Sequence, residues 1–242
     1  MRVHVVGSSG TFPAHGRPAS GYVIELEGTR VWCDAGSGTF MSLPVASDLI
    51  DAVVISHQHP DHCSDLTAAF HAWTFRPDPR EPVPLYAPQG VWDRLVAFLE
   101  SEPTCFDFRP VWSGDAVEIG SLAVSFIEMD HSVPTVGSRW DGNGRTLFYT
   151  GDTGPAGDWP DFASGVDMLL SEASYQESTK NAEYPHHLSA KEAGEIARRM
   201  DVGALTLTHI PPYLDPAISV EEAESAFGRP VRLAVAGTSF GV

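Results

Sequence analysis

Three histidines and an aspartate fall within six residues in Ser56-His57-Gln58-His59-Pro60-Asp61-His62. Imidazole nitrogen with carboxylate oxygen is a donor set that borderline-soft Zn²⁺ accepts. A polar cluster this dense would be costly to bury without a cation to compensate it. The apolar run Val53-Val54-Ile55 precedes it, so the cluster lies where a buried strand ends and side chains can converge beyond a sheet. His57 and His59 alternate about Gln58 and can face one point. Asp61 and His62 open the next element and can face a second. Three more candidates follow apolar runs in the same way: His131 after Leu122–Ile127, Asp152 after Thr146–Tyr149, and His209 after Ala204–Leu207. Seven donors suit two metal ions about 3.5–4 Å apart. We assign His57, His59 and His131 to one ion, Asp61, His62 and His209 to the other, and Asp152 to both. The expected cofactor is two Zn²⁺ per chain, with Mn²⁺ as the alternative. A water between the ions would be acidified towards hydroxide near neutral pH and serve as nucleophile, with Asp61 accepting its proton.

The elements that must carry these residues alternate along the chain. Strands are predicted at Val3–Val6, Tyr22–Leu26, Val31–Cys33, Val53–Ile55 and Val83–Tyr86, with helices at Leu66–Trp73 and Val91–Leu99. The second helix would turn Val91, Leu95, Phe98 and Leu99 to one face. A hairpin, Ala116–Ile119 with Leu122–Ile127, opens the second half. Strands follow at Val136–Trp140, Thr146–Tyr149, Met168–Leu170, Ala204–Leu207 and Val231–Val235. Helices are predicted at Ala190–Met200, with Ser189 as N-cap, and at Val220–Phe227. Residues 74–82 read as a surface loop. The pattern predicts a single α/β domain over residues 1–242: two mixed β-sheets packed face to face, with helices on the outer faces.

The 242 residues carry 15 basic and 32 acidic side chains, a formal net charge of −17. Proteins that bind nucleic acid cluster Lys and Arg against phosphates, so a long polyanion is disfavoured as partner. Three scattered cysteines, Cys33, Cys63 and Cys105, with no CxxC pattern suggest a reduced, intracellular setting. No signal-peptide pattern opens the chain and no apolar run reaches the roughly 20 residues of a membrane helix. A cytoplasmic protein without membrane contact is expected.

His57-x-His59-x-Asp61-His62, followed by His131, Gly151-Asp152-Thr153 and His209, resembles the metallo-β-lactamase superfamily. The resemblance implies an αβ/βα sandwich and a hydrolase. Leu170-Ser171-Glu172-Ala173-Ser174 and His186-His187-Leu188-Ser189-Ala190 resemble two motifs of its RNase Z-like phosphodiesterase branch. That likeness implies that His187 faces the scissile phosphate and that Glu172 orients it. A carboxylate on one ring nitrogen would fix the tautomer and support the imidazolium form, and His187 could then stabilise developing charge or protonate the leaving oxygen.

Within that branch, Pro18-Ala19-Ser20-Gly21-Tyr22 and Leu207-Thr208-His209-Ile210-Pro211-Pro212-Tyr213 resemble an actinobacterial group that includes an atypical class II cyclic-AMP phosphodiesterase. The implied reaction is hydrolysis of 3′,5′-cyclic nucleotides to 5′-nucleotides, with a small-molecule phosphodiester as partner. Phe12, Trp73 and Tyr213 flank the site loops and are candidates to stack the base. Ser189 is added as a further substrate contact. Asp130, beside His131, is a candidate acceptor for a ligand histidine. One alternative is an RNase Z-type tRNA 3′-endonuclease without the flexible arm, since only 20 residues lie between His131 and Asp152. Another is a lactonase or thioesterase of the same fold. A homodimer is expected by analogy alone.

Overall fold

The computed structural model describes residues 1–78 and 80–242. In chain order its elements are β1 (Arg2–Gly7), β2 (Gly21–Leu26), β3 (Thr29–Cys33), β4 (Ala52–Val54), α1 (Pro60–Cys63), α2 (Leu66–Thr74), β5 (Val83–Ala87), α3 (Gln89–Leu99), β6 (Phe106–Pro110), β7 (Ala116–Ile119) and β8 (Leu122–Glu128). The second half continues with β9 (Val136–Gly142), β10 (Arg145–Tyr149), α4 (Trp159–Phe162), β11 (Met168–Glu172), α5 (Ala190–Arg199), β12 (Ala204–Thr208), α6 (Pro216–Phe227), β13 (Val231–Leu233) and β14 (Ser239–Gly241).

Two seven-stranded sheets result, ordered β14-β1-β2-β3-β4-β5-β6 and β13-β12-β11-β10-β9-β8-β7. Strands β3 to β6 pair in parallel, as do β10 to β13. β8 also points the way of β10, because both pair antiparallel with β9. The strands that precede the candidate ligands therefore end on common edges. Between the sheets lies a core that includes Tyr22, Val54, Phe126, Trp140, Tyr149 and Leu170. A second core packs α5 and α6 on the outer face of one sheet, and a third packs α2 and α3 on the other. The predicted sandwich with helices outside is the observed architecture.

Several local expectations change. Strand β6 escapes the sequence reading because its pattern, Phe106-Asp107-Phe108-Arg109-Pro110, is that of a polar sheet edge. Strand β14 is a three-residue edge. Helix α6 begins at Pro216, where Asp215 accepts the Ala217 N–H and Pro needs no donor of its own. Phe98 is 72% exposed, whereas Val91 and Leu95 are the buried residues of α3. Trp73 is only 2% exposed and packs against Phe40, Phe106 and Arg80 in the outer core. It is a core residue and not a substrate contact. The loop reading of 74–82 includes Pro79, which lies outside the described residues.

Candidate active site

Every donor named from sequence reaches one edge of the sandwich. His57 and His59 follow β4, and Pro60 then starts α1, which turns Asp61 and His62 back towards them. Gly151 follows β10 with a φ of 60°, and a Cβ there would come within 2.9 Å of the Ser56 side chain. Glycine thus lets the Asp152 loop close against the His57 loop. His209 follows β12 in the left-handed region, with a φ of 55°. A non-glycine residue held there is strained and marks a place the surroundings over-determine.

The donors form two groups. In the first, His57 Nε2 and His131 Nε2 each lie 3.1 Å from His59 Nδ1, and Asp152 Oδ2 lies 3.7 Å from His57 Nε2. In the second, His62 Nε2 and His209 Nε2 are 3.2 Å apart, Asp61 Oδ2 is 3.2 Å from His209 Nε2, and Asp152 Oδ1 is 3.2 Å from His62 Nε2. Asp152 therefore presents one oxygen to each group. Donors bound tetrahedrally at Zn–N distances of about 2.0–2.1 Å would be about 3.3 Å apart, and these spacings match that edge. Both groups satisfy the geometry of a metal-binding set.

Two further observations favour cations there. Asp152 Oδ1 is buried and makes no hydrogen bond, an expensive state for a carboxylate oxygen. Burial works against protonation of His62, yet Asp152, Asp61 and Asp34 together push it well above its ordinary range. Positive charge is what that group demands. At the first group, burial holds His57 well below the usual histidine range and also lowers His59 and His131. Neutral imidazoles are the ligand form. Burial raises Asp152, but His209, His62 and His57 outweigh it and keep the carboxylate ionised.

The supporting contacts fix the ring orientations. Buried Asp34, itself in the left-handed region, accepts from His62 Nδ1 at 2.7 Å, Ser56 N at 2.7 Å, Ser56 Oγ at 2.9 Å and Tyr149 OH at 2.7 Å. The sequence reading missed Asp34, though it follows an apolar strand just as the candidate ligands do. His131 Nδ1 donates to the His186 carbonyl at 3.0 Å. Asp130 does not serve His131; its carboxylate takes the Ala156 N–H. Cys63 donates to the Gln58 carbonyl, and burial pushes its thiol up to about 12. It is not a thiolate ligand.

Beside the two groups, fully buried Glu172 ends β11 and accepts from His187 Nδ1 at 2.9 Å. Burial alone would depress His187, but the Glu172 charge and hydrogen bond raise it to about 9. A cavity of about 420 Å³ opens here, lined by Thr11, His59, Asp61, Asp152, Ser174, Tyr175, Tyr184, His187, His209 and Tyr213 among others. No Lys or Arg is among its lining residues. Tyr213 is 69% exposed at its mouth, with Phe12 stacked on it at 6.4 Å. Tyr175 and Tyr184, unmarked by any motif, flank His187 at ring distances of 6.0 and 5.7 Å. Ser189 does not reach the cavity. It is buried as the N-cap of α5, accepting the Glu192 N–H in a reciprocal capping box.

Residues 29–210 match the family described as "Beta-lactamase superfamily domain". An uncharacterized protein of Mycobacterium leprae is 34% identical, over 100% of this chain and 89% of that protein. Ribonuclease Z of Methanopyrus kandleri is 28% identical, over 92% of this chain and 91% of that protein. The crystal structure of the metallo-beta-lactamase fold protein YhfI from Bacillus subtilis superposes with a TM-score of 0.89 at 25% identity, covering 99% of each chain.

Proposed function

The chain belongs to the beta-lactamase superfamily, and from that premise we propose that it is a dinuclear metal-dependent phosphodiesterase acting on 3′,5′-cyclic nucleotides, cyclic AMP foremost. The observation that carries this reading is the Glu172–His187 pair beside two four-donor groups that share Asp152. Bound divalent cations would supply an acidified water and polarise the phosphoryl oxygens. His57, His59, His131 and Asp152 would hold one; Asp61, His62, His209 and Asp152 the other. Zn²⁺ suits the imidazole-rich donors.

Asp61, half-buried in the cavity lining, would accept the proton lost from the attacking water. Glu172 occupies His187 Nδ1, so Nε2 is the ring nitrogen left for substrate. Attack on phosphorus breaks the P–O3′ bond, and His187 donates its proton to the departing 3′-oxygen. One water is consumed and a 5′-nucleotide leaves.

The wall chemistry supports a small diester. A cyclic nucleotide carries one negative charge, which His187 and the cations can meet without Lys or Arg. Tyr213 backed by Phe12 offers a face for the base, as aromatic side chains do for single-stranded bases. A folded RNA finds less here: the chain between His131 and Asp152 is filled by the β9–β10 hairpin, closed at Asn143-Gly144. The net charge of −17 opposes a polyanion lying along the surface.

The test is a substrate panel with cyclic AMP, bis-p-nitrophenyl phosphate, a pre-tRNA and a lactone, run on metal-loaded protein. Turnover of the two small diesters is expected, and the His187→Ala variant should lose it by at least about 100-fold while keeping both metals. No turnover of either diester, or full activity without His187, would overturn the reading.

A further inference from the structure

Glu172, His187 and His209 form a third group of converging donors, but a hydroxyl stands at its centre. Ser174 Oγ lies 2.6 Å from Glu172 Oε2, 2.8 Å from His209 Nδ1 and 3.3 Å from His187 Nδ1. The group is therefore a hydrogen-bond network with its own proton, not a further metal position.

We propose that Ser174 is a positioning residue that ties the second metal position, through His209, to the Glu172–His187 pair.

The proton count allows one arrangement. His209 Nε2 faces Asp61, His62 and Asp152, and a cation there requires its lone pair. The ring proton then sits on Nδ1 and is donated to Ser174 Oγ. Having accepted that bond, Ser174 sends its single proton to Glu172 Oε2, the short contact. His187 Nδ1–H goes to the other oxygen, Oε1. Each of the three protons has one acceptor, and the chain runs one way, from the metal position to the carboxylate. Glu172 also receives the backbone N–H of Ser174 and of Thr153, the residue after Asp152. One buried carboxylate thus fixes His187 directly and His209 through Ser174. Partners of this kind hold a metal-ligating imidazole in the right tautomer, and their loss commonly weakens metal affinity 10–100-fold.

The inference rests on the two-cation reading, so stepwise Zn²⁺ affinities are measured first on the wild-type chain by calorimetric titration against a competing chelator. Fewer than two sites in the wild-type chain overturns that reading and this inference with it. Given two, Ser174→Ala is expected to weaken one site by about 10–100-fold and leave the other unchanged, and Ser174→Thr, which keeps the hydroxyl, to restore it. A Ser174→Ala protein with both affinities intact overturns the proposal while leaving the two-cation reading standing. So does one in which both sites weaken equally, since that reports a fold-wide loss. The readout is metal binding and needs no substrate.

Discussion

Asp34 shows how much one side chain can decide. It lies fully buried with four donors on its two oxygens, and one of them is the ring N–H of His62. Take the carboxylate away and the Tyr149 hydroxyl loses its partner, His62 Nδ1 loses its 2.7 Å acceptor, and the Ser56 N–H and hydroxyl lose the oxygens they donate to. Asp34→Ala is expected to destabilise the chain by about 3–5 kcal/mol, the range for breaking a buried charged pair. It should also weaken the second cation more than the first, because Asp34 holds His62 directly and reaches His57 only through the Ser56 hydroxyl, 3.0 Å from His57 Nδ1. Denaturant unfolding beside metal titration checks both, and a variant within about 0.5 kcal/mol of wild type would contradict the assignment. Asp34 carried the same signature as the ligands, a polar residue at the end of an apolar strand. Spacing alone could not separate a residue that would touch metal from one that supports the ligand.

Helix α5 illustrates what an element needs from its ends. Ser189 accepts the Glu192 N–H, and Glu192 returns a carboxylate to the Ser189 N–H and hydroxyl. The expectation of an N-cap at Ser189 was right, and the expectation that it touches substrate was not, because a side chain folded back on its own helix cannot also face a cavity. Ser189→Ala should cost about 0.5–2 kcal/mol in unfolding free energy and leave kcat/KM unchanged on the metal-loaded enzyme. A loss of kcat/KM without a loss of stability would reverse that conclusion. Trp73 makes the same point for α2: its place in sequence, near the site loop, says nothing of the direction in which the helix turns it. Helix periodicity placed Phe98 inside, yet α3 turns Val91 and Leu95, with the half-buried Trp92 and Leu99, to the core and leaves Phe98 out.

Each candidate metal group draws donors from both halves of the molecule. His57 and His59 meet His131 and Asp152; Asp61 and His62 meet Asp152 and His209. Cations there would clamp one sheet to the other at a single edge. The inter-sheet core, with Tyr22, Phe126, Trp140 and Tyr149, does not depend on them. Chelation is therefore expected to leave a folded chain that melts lower. A cation present at 100 times its Kd contributes about 2.7 kcal/mol, so loss of one such site should lower Tm by roughly 5–10 °C for a chain of this size, restored on adding Zn²⁺. An unchanged Tm would show that no cation bridges the halves. No helix among the described residues is long and apolar enough to cross a membrane.

Residue type and strand-end position sufficed to name all seven candidate ligands, because metal donors are chemically distinctive and the strands before them are apolar enough to recognise. The two-sheet sandwich with outer helices was legible from the same apolar strands, the edge strands β6 and β14 excepted. The supporting contacts were not. That Asp34 holds His62, that Ser174 joins His209 to Glu172, and that Tyr175 and Tyr184 rather than Trp73 line the cavity are matters of direction. Side-chain direction is set by what packs behind a residue, and those neighbours lie tens of residues away in the chain.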